Sequence, residues 1–284
     1  MVDILFLAHG RTEFTAASIK ALRESIGYHK GHTSPLPEVR RVHVMTDGGG
    51  SVPVNGSQMQ WGMGDSTKYG GPVACLNHFI EGTTPKPPNG AGASPNTSPE
   101  ATPEFVCKID NDTIVPPGWL PACLDLMRRY PNVDLLGIEP WTPDEKLFPR
   151  WPFPMATAPF FQDHRSVRPV SHIGGIGVFR RSAFERFGRP VPNSQDGRYG
   201  FTEWQWQNPG MVKAFIDPPL PVFLLDHLPF EPWRSLSRKY EAEGIQRNVG
   251  WGYDAVKHRA LWDWAFTSGG VLGAEGQGVG GTRL

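Results

Sequence analysis

The sequence predicts an α/β fold: a mixed, mostly parallel sheet flanked by helices, in a single domain. Three observations predict it. A short apolar run at Val2 to Leu7 and strand-like segments at Val39 to Met45 and Phe105 to Ile109 each close on small or acidic residues, as core strands do where they pass into loops. Helical spacing follows the first and third of these runs, and strands alternating with helices build parallel sheets. The chain has 284 residues with 39% hydrophobic and 20% charged content, enough to bury one large core.

The elements follow in chain order. Val2 to Leu7 closes at Ala8-His9-Gly10, after which Phe14, Ala17, Ile19, Leu22 and Ile26 share one helical face. The second strand, Val39 to Met45, ends at Thr46-Asp47-Gly48-Gly49-Gly50. The stretch TTPKPPNGAGASPNTSP has no apolar periodicity, so residues 82–104 are expected to form a flexible Pro/Gly-rich loop. The third strand, Phe105 to Ile109, ends at Asp110-Asn111-Asp112. Pro116-Pro117-Gly118 opens a helix through Leu120, Leu124 and Met127, and Val133 to Ile138 reads as a further strand. Prolines and aromatics dominate Trp141 to Pro159, and His172 to Arg181 is strand-like, with glycines at 174, 175 and 177. The domain is expected to span 1–265, and the Gly-rich tail 266–284 to fray.

Bulk properties exclude some classes of partner. The formal net charge is zero and the pI about 7.1, so the whole molecule has no long-range field that gathers polyanions. The three cysteines, Cys75, Cys107 and Cys123, have no metal-ligand spacing and do not suggest a disulfide framework; reduced, mostly buried thiols are expected. MVDILFLAHG is apolar over too few residues for a signal peptide or a transmembrane segment and lacks a basic start. The expected location is the cytoplasm.

The most informative segment is KIDNDTIVPPGWL. Asp110 and Asp112, at the end of a strand, bring two hard oxygen ligands together, and ligands collect at the carboxyl ends of strands in open α/β sheets. Such a pair suits Mn²⁺ or Mg²⁺, which would neutralise a nucleotide diphosphate as it leaves. Taken alone, Asp-Asn-Asp equally makes a turn through Asx bonds.

The run resembles the DXD region of family 2 and related glycosyltransferases of the GT-A fold, and the resemblance extends through most of Val2 to Trp233. It implies a Rossmann-like domain and an enzyme, a hexosyl- or pentosyltransferase that moves a sugar from a nucleotide-diphosphate sugar, UDP-linked by preference, to an acceptor hydroxyl. On this resemblance AHGRTEFTAASIKAL, with Arg11, and TDGGGS, with Asp47, are expected to bind the donor along with Asp110, Asn111 and Asp112. Capping of a helix and of a turn would also account for Arg11 and Asp47.

SHIGGIGVFRRSAFERFG is similar to the family's Gly-Gly segment, where Gly174 and Gly175 let a sugar approach the backbone; a bulge would also explain adjacent glycines. YGFTEWQW resembles the family's acidic-pair motif, with Thr202 in place of the first acid. Glu203 is then the general base of an inverting transfer, taking the proton of the acceptor hydroxyl. Trp204 and Trp206 beside it would exclude water or stack on a sugar, with Trp204 expected at the acceptor. In LLDHLPFEPW, His227 is a candidate third metal ligand beside Asp226; otherwise it is a hydrogen-bonded structural residue.

The acceptor is expected to be a glycan. From Arg150 to Arg198 there are eight Arg, no Lys and three acids, which also fits an anionic acceptor such as a phosphorylated glycan, a lipid phosphate or a hydroxymethylated nucleic acid. Three rival functions remain. A glycosidase needs two carboxylates facing each other across the sugar, and Asp110 and Asp112 are too close in sequence for that. A sugar nucleotidyltransferase should carry an N-terminal Gly-rich loop with a Lys, which AHGRTEF lacks. A non-catalytic carbohydrate-binding module would use the ten tryptophans, but does not call for Asp110, Asp112 and Glu203 together.

Overall fold

The structure, a computed structural model, describes residues 1–27, 36–47, 64–65, 71–82, 102–140, 165–191, 200–217 and 219–244, and single positions at 256, 259, 262, 263 and 266. Most of the predicted 82–104 loop, the Trp141 to Pro159 stretch and nearly all of the 266–284 tail lie outside these residues.

Ten strands and six helices are assigned among them: β1 (Val2–His9), α1 (Thr12–Ser25), β2 (Val39–Asp47), β3 (Gly64–Asp65), α2 (Pro72–Gly82), β4 (Phe105–Asp110), β5 (Thr113–Ile114), α3 (Trp119–Arg129), β6 (Leu135–Gly137), β7 (Ser166–Pro169), β8 (Gly177–Arg180), α4 (Arg181–Arg186), α5 (Gly200–Gln207), β9 (Lys213–Asp217), β10 (Phe223–Leu224) and α6 (Trp233–Ala242). Eight strands form one sheet in the order β3-β2-β1-β4-β8-β6-β9-β7, and β5 pairs with β10 apart from it. β3, β2, β1 and β4 run parallel, as do β6 and β9, whereas β8 and β7 are antiparallel to their neighbours. This is the mixed, mostly parallel sheet that the sequence predicts.

Alternation along β1 and β4 sends side chains to two cores. Val2, Ile4, Phe6 and Ala8 of β1 and Phe105, Cys107 and Ile109 of β4 pack under α1 and α3. Leu5, Leu7 and Val106 face α2, α4 and α5. Each large side chain buried there contributes about 1.5–3 kcal/mol relative to exposure. Lys108 and Asp110 follow Val106 at period two, so they rise on the α5 side of the sheet. The thiols are free and buried, as expected; burial pushes Cys123 up to about 12 and Cys107 well above the ordinary range.

Several boundaries differ from those predicted. His172 to Arg181 is strand only from Gly177, because Ser171 to Ile176 forms a loop held by α5 rather than a ladder. β7 and β9 were not foreseen, because β7 is a half-exposed edge strand with no apolar alternation. Asp226 and His227 follow the short strand β10, within a 3-10 turn over Leu225–His227.

α6 packs back on α1. The Tyr240 ring meets Phe14 edge-on at 5.2 Å, its hydroxyl donates to the Glu13 carboxylate, and Lys239 Nζ lies 2.9 Å from the same carboxylate. The Tyr240 bond, then Lys239, lowers the Glu13 carboxyl to about 2. A depressed carboxyl contributes stability above its ordinary pKa near 4.5 and loses it as pH falls towards about 2. Glu13→Gln is therefore expected to lower Tm at neutral pH, and the gap from the parent to close between about pH 4.5 and pH 2, as thermal denaturation at a series of pH values will show.

Candidate active site

The parallel strands β1, β2 and β4 end at one edge of the sheet, and the acids gather there. Gly10, at φ 50, takes a left-handed turn that glycine adopts readily and passes the chain from β1 to Arg11. Arg11 precedes α1, but its side chain makes no cap bond. Its Nη2 instead donates to Asp112 Oδ2 at 2.7 Å and Asn111 Oδ1 at 3.1 Å, and its Nη1 lies 3.5 Å from Asp226 Oδ2. Asn111 donates on to Thr15 Oγ1 at 2.9 Å, which fastens the Asp-Asn-Asp turn to α1.

Asp226 and His227 reach this group through the small β5–β10 pair. Phe223 pairs with Ile114 and Leu224 with Thr113, and Leu225 N–H donates to Asp112 O at 2.7 Å. His227 Nε2 then stands 3.7 Å from Asp226 Oδ1. Burial, joined by the neighbouring Asp112 charge, pushes the Asp226 carboxyl up to about 7 against the pull of Arg11. Burial works against the Arg11 charge too, but Asp112 and Asp226 outweigh it and its pKa rises. Burial lowers His227, which favours the neutral imidazole that ligates metals.

Asp110 has a different partner. Lys108 Nζ lies 2.5 Å from Asp110 Oδ1, and the ammonium is buried against the Gly174–Gly175 turn. A Cβ on Gly175 would stand 2.9 Å from Lys108 Nζ, whereas one on Gly174 would meet nothing within 4 Å. That turn is fixed by Gln205 of α5, whose Oε1 accepts from Ile173 N–H at 2.8 Å and whose Nε2 donates to Ile173 O at 3.1 Å. Lys213 Nζ, at 3.2 Å from Gln205 O, anchors the end of the same helix.

Gly175→Ala is expected to displace the Lys108 ammonium and lower turnover by about tenfold or more with little change in Tm. Gly177→Ala, whose Cβ would lie 2.4 Å from the Leu136 carbonyl oxygen, should instead lower Tm. Parallel kinetics and thermal denaturation of the two variants separate these effects.

Glu203 lies on α5, two residues before Gln205, and its Oε2 is buried with no hydrogen-bond partner. Trp204, expected at the acceptor, belongs to the core instead: it is 4% exposed, stacks on Phe184 at 5.3 Å, and donates its Nε1 proton to Phe187 O at 3.2 Å. Helix packing turns Phe201 and Trp204 inward and leaves Trp206 facing solvent. Asp47 closes β2 opposite His9; its backbone stands at the functional edge, and its side chain lies outside the described residues.

The structure thus brings Arg11, Asn111 and Asp112 together with His227, and Asp110 together with Gly175. Lys108, Asp226 and Gln205 complete the arrangement. Lys108 was legible from strand alternation with Asp110, and Asp226 from its place beside His227; nothing local in the sequence marks Gln205.

By type alone, carboxylates and an imidazole are ligands that a hard divalent cation accepts. Two carboxylates and a neutral imidazole are balanced by one guanidinium, and Asp226 Oδ1 is buried with no hydrogen-bond donor. As placed, however, no three His, Cys, Asp or Glu side chains among the described residues stand close enough together to hold a metal ion.

No family model matches the chain, and no curated protein matches it. Among solved structures it is similar to the 1–349 portion of S. aureus TarS, at 11% identity over 96% of this chain and 75% of that one, with a TM-score of 0.47. The same portion in complex with UDP aligns at 12% identity over 94% and 72%, TM-score 0.48. Mannosyltransferase PcManGT from Pyrobaculum calidifontis, in complex with GDP-Man and Mn²⁺, aligns at 14% identity over 93% and 68%, TM-score 0.48. No helix among the described residues is long and apolar enough to cross a membrane.

Proposed function

We propose that the chain is a metal-dependent, inverting glycosyltransferase that moves a sugar from a nucleotide-diphosphate sugar, UDP-linked by preference, to an acceptor hydroxyl. The observation that carries this is the unpartnered, buried Glu203 Oε2 on a helix clamped by Gln205 to the turn against Lys108 and Asp110. A carboxylate oxygen out of water and without a donor is costly unless an incoming hydroxyl satisfies it.

In the transfer, Glu203 takes the acceptor proton as the acceptor oxygen bonds to the anomeric carbon. The carbon–phosphate oxygen bond breaks on the opposite face, and its electron pair leaves with the nucleoside diphosphate. Arg11 holds Asn111 and Asp112 in place, and Lys108 orients Asp110. Asp110, Asp112 and His227, with Asp226 beside them, would hold Mn²⁺ or Mg²⁺, which when bound neutralises the diphosphate charge. Asp47 is assigned to the nucleoside and Gly174 and Gly175 to the acceptor side.

Calorimetric titration of UDP, GDP and their sugar conjugates, with Mn²⁺ and with chelator, tests the proposal. Binding of one nucleotide that chelator abolishes is the expected result. Absence of any nucleotide binding would overturn it in favour of a carbohydrate-binding module.

A further inference from the structure

We propose that the acceptor is a carbohydrate whose pyranose ring stacks on the Trp206 indole, edged by His172, with a ring hydroxyl at Glu203. The proposal rests on the transferase reading above and names the substrate class for its acceptor side.

Trp206 is 59% exposed, and the other exposed large hydrophobics among the described residues are Met1, Val191 and Val256, none aromatic. Exposing an indole forgoes the burial that Trp204, in the same helix, obtains. Residues three apart on a helix are neighbours, with Cβ atoms about 5–6 Å apart, so exposed Trp206 adjoins the partly buried Glu203 along α5. The His172 ring meets it edge-on, with centroids 5.8 Å apart at 71°, and Ser171 Oγ lies 3.2 Å from His172 Nδ1. His172 precedes Ile173, which Gln205 grips at both backbone atoms, so the ring, the indole and the carboxylate belong to one fixed unit. A flat apolar face beside polar edges is what the C–H face and equatorial hydroxyls of a sugar ring require.

The arginine-rich segment argues against a polyanion. Arg168, Arg180, Arg186 and Arg189 are paired with Glu139, Glu104, Asp134 and Glu81 respectively. Arg181 donates to the Ile80 carbonyl, and Arg165, though its guanidinium has no hydrogen-bond partner, is buried out of reach of a phosphate. None of these six offers a free guanidinium cluster for phosphates.

The test is saturation-transfer NMR of the full chain, saturated with UDP and Mn²⁺, against the methyl glycosides of glucose, galactose, mannose and N-acetylglucosamine and against a short oligothymidylate. UDP binding is measured calorimetrically in parallel. At least one glycoside should bind through its ring C–H protons. Trp206→Ala should weaken that binding by about tenfold or more, and Trp206→Phe by less, at unchanged UDP affinity and Tm. Equal binding by Trp206→Ala, oligothymidylate binding in place of the glycosides, or UDP binding without any glycoside binding would overturn the proposal. Glycoside binding that depends on Trp206 in a chain that binds no nucleotide would instead overturn the transferase reading and leave the sugar site standing.

Discussion

Glu203→Gln is expected to bind nucleotide as tightly as the parent and to lose about 10²- to 10⁴-fold in transfer. The amide matches the carboxylate in shape but cannot accept a proton, so only the chemical step suffers. Stability should hold, because Glu203 makes no hydrogen bond through its buried Oε2 and the α5 packing depends on Phe201, Trp204 and Gln205. Turnover beside calorimetric nucleotide binding is the measurement. Parent-like turnover would remove Glu203 from the mechanism.

Asp112→Ala is expected to abolish metal-dependent nucleotide binding and also to lower stability. It takes from Arg11 the 2.7 Å partner at the centre of the cluster, leaving a largely buried guanidinium to Asn111 and the more distant Asp226. Removing one member of a buried pair costs on the order of 3 kcal/mol. Asp112→Asn separates the two losses, since it keeps a hydrogen-bond acceptor for Arg11 but removes the charge: Tm should fall less while nucleotide binding is still lost. Full metal-dependent turnover in Asp112→Asn would exclude Asp112 as a ligand.

What the sequence disclosed follows the strength of local pattern. β1 and β4 carry mainly apolar residues that are buried, and Arg11, Asp110 and Asp112 stand at or just beyond the ends of these two strands. α2 carries a buried stripe in Val73, Leu76, Phe79 and Ile80, whose period is masked in sequence by the adjoining Pro/Gly-rich stretch. β3 and β5 have two residues each, too few for any period. The Trp204 and Trp206 faces follow from Phe201 one turn before Trp204, which sets the inward side of α5. Contacts across the chain were beyond reach: Arg11 meets Asp226 through β5, β10 and a 3-10 turn, and no local spacing encodes that.

The Gln205 grip on Ile173 has a thermodynamic consequence. It joins the helix that carries Glu203 and Trp206 to the turn that abuts Lys108 and Asp110, so in the proposed assignment the acceptor side is continuous with the donor-side carboxylate Asp110. Any coupling carried through this joint must be symmetric in binding: the factor by which donor changes acceptor affinity is the factor by which acceptor changes donor affinity.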